Sequence, residues 1–180
     1  MVLDSLVSVF FPAPCRLCGE WLTTASRIPV CPRCLGRLRP LELLCACTLC
    51  QRPLAAAYQS SAREPLCGAC RRGLNEFDRL RSFGAFDGAL RELIHVLKYT
   101  GVVALARPLA ALLGIVVHNE PTLAAVDVVV PVPLHPRRQR RRGYNQAECL
   151  ARKLAGLLAL PLDAHSLVRV RDTASQTGLT

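Results

Sequence analysis

The chain has 180 residues, 51% of them hydrophobic, and a net charge of +10 from 23 basic and 13 acidic side chains. That length holds one moderate domain and a small one, and the charge favours polyanionic partners, phosphates or nucleic acid. A membrane span and a signal peptide are not expected: the apolar stretch 102–117 is broken by Arg107 and Pro108, and the run 7–12 is short with no basic lead.

Residues 1–14 read as an apolar lead-in ending at Pro12 and Pro14. Four Cys-x-x-Cys pairs follow: Cys15/Cys18, Cys31/Cys34, Cys47/Cys50 and Cys67/Cys70. Each pair sets two sulfurs on one tight turn, and two such turns supply the four thiolates of a tetrahedral zinc site. The intervals, 12 residues (19–30) and 16 residues (51–66), fall in the zinc-ribbon range. The repeated spacing suggests an internal duplication, a double zinc ribbon within 1–75. Sequential pairing gives two sites, an interleaved arrangement would use the same eight ligands, and a disulfide framework is the competing reading. Cys45 reads as a bystander that could substitute as a ligand, and Cys149 as a small apolar residue on a helix. This segment is poor in large aliphatic clusters, so metal is expected to replace core there; a structural zinc contributes about 10 kcal/mol or more to folding. Thiolate ligands need a reducing compartment, so a cytoplasmic location is expected.

From residue 79 the texture changes. Residues 80–86 alternate weakly and suggest a strand. Asp87 offers an N-cap to a helix with Leu90, Leu93, Ile94 and Leu97 on one face, and Gly101 offers its stop. The stretch 104–117 is apolar nearly all round, which predicts a buried helix with Pro108 in its first turn or at a kink. The β-branched run 126–132 predicts a strand buried on both faces, as in the middle of a parallel sheet. A basic loop follows over 134–143, with five arginines between Arg137 and Arg142. A helix then starts near Tyr144 with Asn145 and Glu148 as a capping-box-like pair. Its core stripe is Ala147, Leu150, Ala151, Leu154, Leu157 and Leu158. Residues 167–170 suggest another strand. The order helix–strand–helix–strand argues for an α/β layered fold.

A parallel strand running into a basic loop and a capped helix is an anion site on physical grounds. Ligands gather at the carboxyl ends of such strands, and helix N-termini present unpaired N–H groups. Arginine adds forks matched to phosphate oxygens. The residues singled out are Arg142, Gly143, Asn145 and Gln146; Arg137 to Arg141 read equally as a solvated loop. His135 is the one histidine near this site. There is no Ser/His/Asp grouping, HExxH, Walker-type loop or GxGxxG, which argues against nucleophilic and redox chemistry.

Several strings resemble one family. The apolar lead-in to Phe11-Pro, the paired cysteine turns, Phe86-Asp-Gly-x-Leu-Arg-x-Leu-Ile-x-x-Leu-Lys-Tyr, Val130-Pro-Val-Pro-Leu-His and Arg142-Gly-Tyr-Asn-Gln-Ala-Glu are similar to the ComF (ComFC) competence-type proteins. The resemblance spans essentially the whole chain. It implies a zinc-binding segment (1–75) fused to a Rossmann-like type I phosphoribosyltransferase domain (79–180) with a parallel sheet. The implied ligand is 5-phosphoribosyl 1-pyrophosphate (PRPP), with magnesium as its ion. Carried over by position, Arg142, Gly143, Asn145 and Gln146 match the pyrophosphate-side loop, and Arg169 and Gln176 fall in a later flap-like segment. Lys98-Tyr99 matches a signature without an assigned role. The family's Asp-Asp and Thr-Thr-Gly-x-Thr string does not occur before Thr180. An incomplete transferase domain, inactive as written, is therefore expected. The alternative is a zinc-ribbon and Arg-rich module that binds single-stranded DNA beside a DNA-import helicase; with only Tyr144 adjoining the arginines, phosphate contact would dominate over base stacking.

Overall fold

The structure is a computed structural model and describes residues 13–22, 28–41, 45–55 and 65–173. Most of the lead-in, the centre of the stretch 53–65 and Gln176 lie outside the described residues. Regular structure among them is helical: α1 Pro32–Leu35, α2 Gly68–Arg71, α3 Gly88–Tyr99, α4 Ala106–His118, α5 Pro121–Ala124, α6 Pro136–Arg142 and α7 Gln146–Leu158. A 3₁₀ turn, Val103–Leu105, leads into α4.

The helical periodicities hold. Asp87 takes the N-cap position of α3 in extended backbone, and Leu93 and Leu97, one turn apart, are fully buried. Gly101 adopts φ +76° just past the end of that helix. Pro108 is the third residue of α4, where its missing N–H has no intrahelical partner to lose. α4 packs along α7. α4 buries Ala106, Leu109 and Ala110, and α7 buries Ala151 and Ala155. Small residues let the two axes approach closely, and a Cβ placed on Gly114 would already sit 4.0 Å from Leu154 Cδ1. Three positions depart from the apolar pattern: Ala111 and Ile115 on α4 are exposed, and Leu157 on α7 is exposed where Ala155 is buried.

The main core joins the cysteine segment to the helices. Cys15, Val30 and Cys34 are buried in one cluster with Leu93, Leu97, Leu105, Ala106 and Leu109. Leu17, Leu22, Ile28, Leu35 and Leu38 pack onto it. The aliphatics scattered between the first cysteines therefore converge on α3 and α4, and the segment is not left to metal alone. A smaller cluster surrounds Cys47, Cys67 and Cys70, with Leu49, Leu54 and Leu66 against it.

The α/β expectation is overturned. Among the described residues there is no strand and no sheet, only isolated bridges, so the Rossmann-like parallel-sheet domain is not present. Within 126–132, Val129 alone is bridged, in parallel to Leu162, with its N–H on the Pro161 carbonyl at 2.9 Å and its carbonyl taking the Asp163 N–H at 3.0 Å. Val126, Val128, Val130 and Val132 are exposed. Residues 167–170 find no ladder either, and Leu167, Val168 and Val170 are exposed. Residues 80–83 bond elsewhere: Leu80 N–H to Leu49 O at 2.8 Å and Leu41 N–H to Phe83 O at 2.6 Å. β-branched residues favour extended backbone, but a strand persists only when neighbours complete a ladder. The three segments are not adjacent partners here.

Candidate functional site

The eight paired cysteines form two groups, Cys15/Cys18/Cys31/Cys34 and Cys47/Cys50/Cys67/Cys70, with the sulfurs of each within 4.8 Å of one another. Pairing is thus sequential rather than interleaved. Four sulfurs about 2.3 Å from a tetrahedral zinc stand about 3.8 Å apart, whereas a disulfide needs about 2.05 Å. Cys18 and Cys31 sulfurs are 3.8 Å apart and Cys50 and Cys67 sulfurs 3.7 Å apart, and all ten cysteines are unbridged. Donor type, number and spacing fit one structural zinc per group. Four sulfur donors leave no open position, so the metal would clamp the fold rather than act on a substrate. Cys45 stands outside both groups; its carbonyl takes the Leu54 N–H at 3.1 Å.

The two groups repeat one another in backbone detail. In the first, Gly19 N–H bonds Cys15 O at 2.9 Å and Cys15 N–H bonds Glu20 O at 2.7 Å. In the second, Gln51 N–H bonds Cys47 O at 2.9 Å and Cys47 N–H bonds Arg52 O at 2.9 Å. The bridge Pro14–Trp21 matches Ala46–Pro53. Arg16 N–H on Pro29 O matches Thr48 N–H on Pro65 O, and Cys31 and Cys67 each N-cap a one-turn helix. Gly19 and Gln51 both lie in the left-handed region, at φ +74° and +58°. The repeat suggested by the spacing is therefore present in the backbone geometry of the two groups.

Backbone N–H groups and side-chain donors converge on the sulfurs: Cys31 N–H reaches Cys15 Sγ at 3.3 Å and Asn75 Nδ2 reaches Cys70 Sγ at 2.9 Å. Burial pushes the Cys15 thiol up, but the N–H groups of Cys31, Cys18 and Leu17 outweigh it and bring it down to about 6. Cys47 follows the same pattern through Cys67, Cys50 and Leu49, also to about 6. Burial, then the neighbouring sulfurs, drive Cys34 and Cys70 up to about 12. Each group thus sets a thiol that ionises easily beside one that resists it, and a divalent cation bound there would displace their protons.

A second feature is a basic cleft of about 780 Å³. One wall is Lys98, Tyr99 and Gly101 at the end of α3, and the other carries Arg137, Arg138, Arg141 and Arg142 of α6. Asp172 is the one carboxylate among its lining residues, against five cations. It accepts from Arg138 Nε at 3.2 Å and lies 3.7 Å from His135 Nδ1.

The predicted basic loop is a helix. His135 sits at its N-cap, taking the Arg137 N–H on Nδ1 at 3.4 Å, and Pro136 occupies the first turn. Arg140, Arg141 and Arg142 fall in its last turn, where the helix dipole favours cations. Gly143 ends it at φ +85°. Tyr144 then anchors the junction by donating its hydroxyl to the Leu97 carbonyl. Asn145 is 6% exposed and N-caps α7, its Oδ1 taking the Ala147 N–H at 3.0 Å while its Nδ2 donates to Val132 O at 3.1 Å. Glu148 pairs with Arg152 at 2.7 Å instead of completing a capping box.

Of the singled-out residues, the structure brings Arg142, Gly143 and Gln146 to one corner: Arg142 donates to Gln146 Oε1, and its guanidinium lies 5.5 Å from the centre of the Tyr99 ring. Asn145 is adjacent, with both polar atoms engaged by backbone. Arg169 bonds Thr173 Oγ1 at 2.5 Å, beside the cleft rather than in its lining. Lys98 and Tyr99 were not assigned to this site from sequence. No spacing relates them to an arginine more than forty positions later, and only the fold closes that distance.

No protein-family model matches the chain, and no solved structure matches it. Curated relatives do. A DNA utilization protein YhgH of Salmonella typhimurium is 34% identical over 172 residues, 94% of this chain and 72% of that one. The DNA utilization protein YhgH of Escherichia coli is 30% identical over 174 residues, 92% of this chain and 70% of that one. Competence protein F of Haemophilus influenzae is 33% identical over 117 residues, 63% and 51% of the two chains. Among the described residues no helix is long and apolar enough to cross a membrane. With identity at this level over most of both lengths, the chain belongs to the ComF-type family.

Proposed function

We propose that this chain serves in the utilization or uptake of DNA as a zinc-clamped binder of phosphate groups, with the basic cleft as its ligand site. The observation that carries the proposal is the charge of that cleft: Lys98 and four arginines against Asp172 alone, which is already engaged by Arg138. Guanidinium forks match phosphate oxygens in pairs, and a concave wall of one sign concentrates an anion. The names of the relatives, DNA utilization and competence, supply the setting. The proposed small ligand is PRPP or a related phosphorylated compound. Arg142 and Gln146 would meet its pyrophosphate beside the glycine turn at Gly143, while Asn145 holds that turn. Arg169 and Gln176 would approach from the later segment. The division into a zinc segment, 1–75, and a ligand-bearing part, 79–180, follows the same reading.

The one carboxylate of the cleft, Asp172, is engaged by Arg138, so any magnesium would be held chiefly by the oxygens of the bound pyrophosphate compound and by water. The role proposed is binding, and no transfer step is derived.

Calorimetric titration of the zinc-loaded chain with PRPP and with inorganic pyrophosphate tests this. Saturable binding is expected, weakened at least about tenfold by Arg142→Ala because a charge-assisted pair is removed. A folded chain that binds neither compound overturns the proposal.

A further inference from the structure

Most of the described aromatic residues are placed on the surface, Tyr144 being half-buried. Among the described ones, Trp21, Phe77, Phe86 and Tyr99 are exposed and Phe83 alone is buried. Large rings are normally drawn into a core, so a group of exposed ones marks a recognition surface. Two of them lie in a row with a histidine. The Phe86 and His95 ring centres are 6.0 Å apart, those of His95 and Tyr99 are 5.4 Å apart, and Arg142 covers Tyr99 at 5.5 Å. Phe86 and Tyr99 are each 58% exposed, and His95 is exposed as well. His95 and Tyr99 stand four residues apart on α3, turned away from the buried Leu93 and Leu97. Arg91 continues their line one turn earlier, with Glu92 as the flanking carboxylate. The row ends at Tyr99, which is itself a wall of the basic cleft.

We infer that Phe86, His95 and Tyr99 form a base-stacking track for a single-stranded nucleic acid whose phosphates lie in the basic cleft. The inference rests on the reading of the cleft as a phosphate site and extends it to a polymer. Unpaired bases present their ring faces, and a row of exposed aromatics beside a positive groove holds them without reading sequence. A duplex hides those faces. A small phosphorylated compound seated in the cleft leaves Phe86 and His95 without a role, since neither lines it. The sequence alone hid this arrangement: Tyr144 is the one aromatic adjoining the arginine run, and the fold supplies the others from α3.

The test is fluorescence anisotropy of the full, zinc-loaded chain with oligo-dT and oligo-rU of about 15 nucleotides, and with a duplex of equal length. Both single strands are expected to bind more tightly than the duplex. Phe86→Ala should weaken single-strand binding about tenfold, Phe86→Tyr should restore it, and the salt dependence of Phe86→Ala should be unchanged because no phosphate contact is lost. Replacing Arg137 and Arg141 by Gln should instead flatten the salt dependence, by about 0.7 in log–log slope for each contact removed. The inference is overturned if Phe86→Ala and Tyr99→Ala bind single strands as the wild type does, or if the duplex competes equally. The two readings separate on pyrophosphate. If pyrophosphate fails to bind while single-strand binding still depends on Phe86, the small-ligand reading falls and the track stands. If pyrophosphate binds and Phe86 is indifferent, the reverse holds.

Discussion

Asn145 shows how one side chain joins two parts of the molecule. Its oxygen caps α7 and its nitrogen tethers the carbonyl of Val132, so a single buried amide fixes where the basic helix turns back. An N-cap contributes about 1 kcal/mol, and the amide's hydrogen bond to the Val132 carbonyl contributes about as much again. Asn145→Ala should therefore lower stability by about 2 kcal/mol in chemical denaturation. Asn145→Asp keeps the cap but sets a carboxylate against the Val132 carbonyl, so it should recover little. If the Asp variant matches the wild type, the tether to Val132 is not contributing. The capping role was legible in the sequence, because Asn ahead of an apolar stripe is a start signal. The tether was not, since nothing in the order of residues tells where Val132 will lie.

At the level of elements, the two cysteine groups share a local design but differ in what surrounds them. Cys34 belongs to the same buried cluster as Leu93 and Leu97, whereas Cys70 lies in a small cluster of its own segment. Metal analysis of the wild type should return two zinc ions, and Cys34→Ser and Cys70→Ser one each. Their effects on the helices should diverge. Cys34→Ser should lower helical circular dichroism and the melting temperature together, while Cys70→Ser should leave the α3–α4–α7 packing intact. Equal losses from the two variants would contradict the separate clusters. The helices α3 and α7 were readable because periodic apolar positions and capping residues agree along each of them, and α4 because a long apolar run carries Pro108 near its start. The arginine run was misread as a loop, although Pro136 in the first turn and Gly143 just past the end are standard helix boundaries. Five charges drew attention away from those signals. The valine run failed for another reason: residue type shows a preference for extended backbone, but only partners make a sheet.

Across the whole molecule, one ion pair links distant parts. Arg81 Nε meets Glu120 Oε2 at 2.6 Å, between the chain that docks the second cysteine group and the junction of α4 with α5. Both side chains are largely buried, at 17% and 16% exposed. The Thr122 hydroxyl first, and then Arg81 against the opposing effect of burial, hold the Glu120 carboxyl below the ordinary carboxylate range. A depressed carboxyl pKa stabilises the folded chain above the unfolded value, about 4.3 for Glu, and that contribution disappears as pH falls through the lower folded value. Glu120→Gln should thus be less stable than the wild type at neutral pH by roughly 1–2 kcal/mol in chemical denaturation. Below pH ~4 the two curves should converge. Parallel curves across that range would show that the pair does not govern acid stability. No sequence pattern pointed to this pairing, because it connects residues 39 positions apart through the fold alone.

Gly19 and Gln51 occupy one place in the two copies of a hairpin, yet they are not interchangeable. Glycine enters the left-handed conformation without strain, while glutamine does so at a penalty of about 1 kcal/mol or more. Against that, the Gln51 amide oxygen receives the Ser82 N–H at 2.7 Å and the Ser82 hydroxyl at 3.0 Å. A chimera carrying the earlier hairpin in the later position would keep its sulfurs in register and lose its hook on Ser82. The later corner thus doubles as a latch, and the two halves cannot trade places.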